Sequence, residues 1–233
     1  MDECRISNND HIIIYGRESV LFTPRIWFMF KSFGHDPSKL HLMQGSLEEW
    51  IHSGGEVEYQ ETKICEAKDI LNKVKQKSND QTKTPQFKYI AKKQPSYVFT
   101  MEDVLETVND QGEEGDIGEN NYIIIDSRGS SFVNGNIPNS VHIPYNKFMN
   151  PKNSLKMLSK DELLTVFDDA GVDPCTEEKI VCSCGSGVSA CTVFLALNQC
   201  GRNIDEKPTF MYDGSWSEWG KDPSTPKVIT IRK

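Results

Sequence analysis

Two hydrophobic rhythms alternate along the chain. Short apolar, β-branched runs of strand length stand at HIIIYG (11–16), KLHLM (39–43), NYIIID (121–126), SVHIPY (140–145), KIVCS (179–183) and TFMY (209–212). Between them, apolar residues recur at helical spacing. Ile26, Trp27, Phe30 and Phe33 do so in a segment opened by Thr23 as N-cap and Pro24 at the first helical position, and closed by Gly34. Ser46 starts a short helix in SLEEWIHSGG that stops at Gly54. Thr100 caps a helix through about Val108, and Ser159 with Glu162 forms a capping box ahead of Leu163, Leu164 and Phe167. Ser189 to Cys200 reads as an almost wholly apolar helix closed by Gly201. The last run, TFMYDGSW, reads as a strand and a turn. Strands alternating with helices predict an α/β fold.

The alternation breaks once. Residues 61–95 are rich in Lys, Gln, Asn and Thr, with prolines at 85 and 95. Ile64, Ala67, Ile70, Leu71 and Val74 are spaced for one amphipathic helix; the remainder reads as linker. The chain therefore divides into residues 1–60, a linker over 61–95, and a second α/β unit over 96–233. The first part has only two strands and resembles half a layer. The second supplies enough strands and helices for its own core.

Composition narrows the classes. A net charge of −8 argues against a nucleic-acid footprint. No apolar run approaches the length of a membrane span. The start, Met1-Asp2-Glu3-Cys4-Arg5, carries acids and no apolar stretch, unlike a secretory or mitochondrial leader. Seven cysteines, at 4, 65, 175, 182, 184, 191 and 200, are an odd number in a chain without a visible secretory signal. They predict a reducing compartment, cytoplasm or mitochondrion, with most thiols acting as small buried hydrophobes.

One stretch, VCSCGSGVSACTVF (181–194), carries chemistry. Cys184 stands where a strand ends and a glycine-rich loop leads into a helix. Gly185 and Gly187 let the backbone curl, and the first N–H groups of the helix face the loop, a cup that favours negative charge. A thiolate held there is a populated nucleophile, and the same donors suit a persulfide anion. The competing reading is a buried core cysteine. Cys182, Cys191 and Cys200 are read as core, with Cys200 a second redox candidate near its helix end. Other chemistries fit poorly. A Cys-x5-Arg phosphatase needs an arginine where Ala190 stands, and zinc needs four ligands where Cys182 and Cys184 offer two. There is no GxxxxGK[ST] loop and no GxSxG elbow.

Here the residues resemble a family. CGSGVSA (184–190) is similar to the active-site loop of 3-mercaptopyruvate sulfurtransferases, within the rhodanese superfamily. IIIDSRG resembles the family's strand with its D-[AS]-R motif, GNIPNSVHIPY its G-H-I-P segment, and YDGSWSEWG (212–220) the run that closes the catalytic domain. YGRESVLFTPRIWFMFKSFGHD and LHLMQGSLEEWIHSGGEVE resemble the non-catalytic first domain of tandem rhodaneses. The resemblance implies a rhodanese-like α/β fold: a central, mostly parallel sheet flanked by helices over 96–233, preceded by a partial second copy over 1–60. It implies transfer of sulfur from 3-mercaptopyruvate or thiosulfate through a Cys184 persulfide to a thiol such as thioredoxin, or to cyanide, without metal or cofactor and without nucleic-acid or membrane partners. Cys184 and Ser186 would be catalytic. Arg128, Gly185, Gly187, Val188 and Ser189 would surround the substrate, with Arg128 binding its carboxylate; the competing reading of Arg128 is a structural ion pair with Asp126 or a neighbour. Trp216 and Trp219 are read as packing residues, and Glu218 as holding a structural hydrogen bond.

Three departures from the pattern stand out. Ser131 occupies the place of a second arginine, so the carboxylate clamp has one cation. Asn136 replaces the histidine of the G-H-I-P segment. The first domain opens at its second half, without the segment that in the family brings an acidic residue and a histidine toward the active site. These favour an alternative reading, a catalytically weak persulfide-binding or regulatory module, or an incomplete gene product.

Overall fold

The computed structural model describes residues 6–16, 21–57, 89–110 and 122–228. At its centre is a five-stranded parallel sheet in the order β3-β9-β8-β4-β5. Its strands are β3 (Val98–Phe99), β4 (Tyr122–Asp126), β5 (Val141–His142), β8 (Lys179–Ser183) and β9 (Thr209–Tyr212). Before it, β1 (Ile12–Ile14) and β2 (Leu40–Leu42) form a separate two-stranded parallel sheet, while β6 (Met149–Asn150) and β7 (Asn153–Met157) make an antiparallel hairpin. The helices are α1 (Thr23–Ser32), α2 (Leu47–His52), α3 (Met101–Asp110), α4 (Lys160–Asp169), α5 (Ala190–Gln199) and α6 (Ser215–Trp219). None among the described residues is long and apolar enough to cross a membrane.

Strand periodicity sorts the core. Ile125, Ile180, Cys182 and Met211 face a cluster with α1, α4 and α5; Ile124, Val181 and Tyr212 face a second cluster with Val104, Val108 and Trp219. The register aligns Ile125, Cys182 and Met211 across three strands, and Asp126 lies opposite Ser183. The motifs that follow β4 and β8 thus emerge side by side at one carboxyl edge, where open parallel sheets hold their sites.

Capping chemistry sets the helix starts. Ser46 with Glu49 and Ser159 with Glu162 both close as full capping boxes. Thr100 and Asp103 bond reciprocally at the start of α3. Three sequence expectations shift. α1 begins one residue early, with Thr23 inside it and Phe22 at the cap position, which accords with Pro24 in the first turn. The segment after β9 is a helix, α6, where a turn is expected; its five residues are too short for a periodic signal. The β6–β7 hairpin has no β-branched run to announce it. The amphipathic spacing at 64–74, and Cys4 and Cys65, lie outside the described residues.

The early residues are fastened to the main sheet. Trp27, Phe28 and Phe30 of α1 are buried in the cluster that includes α5. Phe28 meets Phe194 edge-on with ring centroids 5.1 Å apart, and Trp27 lies 6.4 Å from the same ring. Each such burial contributes roughly 1.5–3 kcal/mol. Lys31, itself buried, pairs with Asp205 at 2.7 Å, and the Tyr97 hydroxyl donates to the same carboxylate.

Candidate active site

Cys184 follows β8 directly and is 2% exposed. It lines a cavity of about 280 Å³ together with Leu21, Phe22, Tyr145, Ser186, Val188 and Ser189. The sheet supplies the cysteine and the loop; Leu21 and Phe22, just ahead of α1, supply one wall. Tyr145 is held there by its N–H, which donates to the Ser127 carbonyl at 3.0 Å.

The loop is anchored from beneath by Ser215. The Ser215 hydroxyl accepts the N–H of Cys184 at 3.1 Å and that of Gly187 at 3.2 Å, and donates to the Tyr212 carbonyl at 2.7 Å. The first turn of α6 completes the anchorage: the N–H groups of Trp216 and Ser217 donate to the carbonyls of Cys184 and Gly185, both at 2.9 Å. Ser215 adopts a left-handed backbone (φ 51°), a conformation that costs a non-glycine residue energy and persists here because three hydrogen bonds hold its hydroxyl. With these bonds made, the N–H groups of Gly185, Ser186, Val188 and Ser189 have no acceptor among the described residues. Uncommitted backbone donors in the loop that follows a thiol are what an anion-favouring nest is built from.

Gly187 departs from its expected role. Its N–H is engaged by Ser215 and its carbonyl accepts from the Cys191 thiol at 3.2 Å, so its peptide supports the loop and is not a free donor to substrate. Glycine is required there sterically: φ is 75°, and a Cβ would lie 2.5 Å from the Asp213 carboxylate. Gly185 meets no such obstacle and does not line the cavity.

Arg128 occupies the structural alternative. It is 5% exposed; its Nε meets both Asp126 carboxylate oxygens at 3.0 and 2.9 Å, and its Nη2 meets Oδ2 at 2.7 Å. Nη2 also donates to the Gly135 carbonyl at 2.7 Å, and the guanidinium lies 4.6 Å over Trp216. Ser131 is exposed on a short 3-10 turn, and neither it nor Arg128 lines the cavity. A single-cation clamp built from these two positions is therefore not what the geometry presents: Arg128 is already neutralised by Asp126. Asn136 bonds locally, to the Ile137 carbonyl and Ser140.

Among the remaining cysteines, burial pushes the thiol of Cys182 up strongly, that of Cys191 up to about 12 and that of Cys200 up to about 11. A thiol pushed that high stays protonated at neutral pH, which counts against Cys200 as a redox candidate. Trp219 is wholly buried, and Tyr212 donates to Glu218 at 2.9 Å, a structural bond.

Residues to which the sequence assigns no role also reach the site. Ser215 is one. Arg25 of α1 is another: it donates to the Asp213 carboxylate and, at 3.4 Å, to the Gly187 carbonyl. Leu21 and Phe22 complete the wall. Among the described residues no three His, Cys, Asp or Glu side chains are grouped as metal ligands.

Known proteins share the sequence pattern and the fold. Residues 112–222 match the family model described as rhodanese-like domain. The mitochondrial thiosulfate/3-mercaptopyruvate sulfurtransferase 1 of Arabidopsis thaliana is 29% identical over 238 residues, covering 95% of this chain and 57% of that protein. The crystal structure of SseA from Escherichia coli, described with the rhodanese fold and catalytic mechanism of 3-mercaptopyruvate sulfotransferases, superposes with a TM-score of 0.63 at 26% identity, covering 93% of this chain and 70% of that one. The anaerobic ergothioneine biosynthesis enzyme of Chlorobium limicola shares the fold alone, with a TM-score of 0.68 at 14% identity over 97% of this chain and 53% of its own. The chain spans 57% and 64% of the lengths of the two Arabidopsis sulfurtransferases that it matches.

Proposed function

We propose, on the match of residues 112–222 to the rhodanese-like domain, that the chain is a sulfurtransferase that works through a persulfide on Cys184. The observation that carries this reading is Cys184 in its cavity, followed by a loop whose N–H groups at Gly185, Ser186, Val188 and Ser189 have no acceptor among the described residues.

The thiolate of Cys184 attacks the sulfur of 3-mercaptopyruvate. The S–S bond forms as the donor's C–S bond breaks, and its electron pair leaves as the enolate carbanion of pyruvate. The donor's thiol proton ends on that carbon, so thiolate and mercaptopyruvate become persulfide anion and pyruvate. The loop N–H groups stabilise the terminal sulfur, in the manner of an oxyanion hole. Ser186, whose side chain lines the cavity, handles the proton. With thiosulfate the same attack releases sulfite. A second thiol, such as that of thioredoxin, or cyanide then takes the outer sulfur and regenerates Cys184. Arg128 acts on the donor only indirectly, by holding the D-S-R turn against Asp126. The hydroxyls of Tyr145 and Ser189 and the loop N–H groups receive the donor's anionic end, so its carboxylate is held by hydrogen bonds and not by a fork-shaped ion pair.

That last feature favours a second reading, a slow persulfide-carrying module. The experiment is a single turnover with 3-mercaptopyruvate, and separately with thiosulfate, following pyruvate or sulfite. One equivalent released per Cys184 supports the sulfurtransferase; persulfide taken only from another protein's persulfide supports the carrier.

A further inference from the structure

Arg25 stands at a junction of three segments. It belongs to α1, its guanidinium pairs with Asp213 in the turn between β9 and α6, and it reaches the carbonyl of Gly187 in the cysteine loop at 3.4 Å. The Gly187 peptide is gripped from both sides, its N–H by Ser215 and its carbonyl by Arg25 and the Cys191 thiol. Asp213 lies two residues before Ser215, so the two turns that form the cup around Cys184 are bridged by one side chain contributed by a different part of the chain. We propose that Arg25 is a positioning residue for the Cys184 loop: it ties the cysteine turn to the Asp213 turn, and through it the docking of α1 sets the geometry of the thiol's anion nest.

The tie differs from a simple electrostatic effect. Arg25 and Asp213 cancel one another's charge, so the pair as a whole exerts little net field on the thiolate. What the pair supplies is the placement of Gly187, whose φ of 75° glycine adopts freely and whose N–H and carbonyl are both engaged. The other ionisable groups around the Cys184 thiol are Cys182 from β8, Cys191 from α5 and Tyr145 across the cavity. Burial keeps Cys182 and Cys191 protonated at neutral pH.

The importance of the tie rests on the sulfur-transfer reading, but its test does not require a donor. Alkylation of Cys184 by iodoacetamide is followed by peptide mass spectrometry against pH in the full chain, for wild type, Arg25→Met, Arg25→Lys, Asp213→Asn and the double variant Arg25→Met/Asp213→Asn, at a temperature where each is shown to be folded. Loss of positioning raises the alkylation midpoint by about half a pH unit or more in Arg25→Met. Asp213→Asn moves it the same way, the double variant no further than either single, and Arg25→Lys restores most of it. If Arg25→Met and Asp213→Asn shift the midpoint in opposite directions, charge alone acts and the proposal is wrong; it is equally wrong if neither moves it. Sulfur uptake measured on the same proteins separates the two claims: midpoints that move together in a protein that accepts no sulfur leave the tie standing and remove the function proposed above.

Discussion

The hydroxyl of Ser215 lies 4.0 Å from the sulfur of Cys184 and accepts the N–H of the same residue at 3.1 Å. Because its own proton goes to the Tyr212 carbonyl, Ser215 is an acceptor toward the loop. Removing it leaves two buried N–H groups unsatisfied, at a cost of about 1–3 kcal/mol. Ser215→Ala is expected to lower stability by that amount and to slow sulfur uptake by Cys184. Ser215→Gly relieves the left-handed backbone yet lacks the hydroxyl, so it should regain part of the stability and none of the rate. Denaturant midpoints and single-turnover rates for the two variants check this. A Ser215→Gly variant at wild-type rate would show that the hydroxyl does not set the loop.

Arg128 and Asp126 form a buried pair, and removing one partner of such a pair strands the other charge, at a cost of about 3–5 kcal/mol. Asp126→Asn and Arg128→Met are each expected to destabilise the protein strongly. The double variant should be less destabilised than the sum of the two. Urea titrations form the cycle. If Arg128→Met instead keeps full stability and only raises KM for 3-mercaptopyruvate, Arg128 binds the donor carboxylate and the structural assignment is wrong.

Alkylation should discriminate among the cysteines. At pH 8, iodoacetamide is expected to modify Cys184, through its cavity, and the exposed Cys175. Cys182, Cys191 and Cys200 should stay unmodified in the native protein, since burial holds all three protonated there. Peptide mapping after a short exposure checks the pattern. Modification of Cys191 at a rate matching Cys184 would mean that the loop opens far more than its hydrogen bonds allow.

The attachment of α1 should weaken in acid. Burial pushes the Asp205 carboxyl up, but hydrogen bonds from Lys31 and Tyr97 outweigh that and hold it below the usual value. A carboxyl depressed in the native state contributes stability that is present above its unfolded pKa of about 3.9 and is lost as pH falls through the native one. The stability gap between wild type and Asp205→Asn should therefore be full at pH 6 and shrink below about pH 4. Asp205 is half exposed, so the gap is modest. Thermal melts at several pH values measure it. A gap that grows on acidification would contradict the assignment.

The parts of this picture that the sequence revealed are those written in local chemistry. The central strands announce themselves as apolar runs, Ser46–Glu49 and Ser159–Glu162 cap as their spacing implies, and Cys184 stands at the strand end where its motif puts it. What stayed hidden depends on contacts between distant segments. Nothing near Arg25 in sequence says that it meets Gly187, 162 positions later. Ser215 looks like a turn serine until the fold brings it under the cysteine loop. Arg128 was open to two roles, because a D-S-R triplet is compatible with an ion pair inside the turn and with a cation facing substrate; packing under Trp216 and the Gly135 carbonyl decides between them. The departure of Gly187 has the same origin. A glycine-rich loop predicts free N–H groups, but which of them stay free depends on what the neighbouring turn offers.

Sulfur on Cys184 is read directly from the mass of its peptide after the protein has met 3-mercaptopyruvate and been trapped without reductant. A gain of one sulfur atom on the Cys184 peptide is expected, matched by one equivalent of pyruvate, and neither in Cys184→Ser, whose fold stays intact. No added sulfur on Cys184, or sulfur found instead on Cys175, would contradict a Cys184 persulfide.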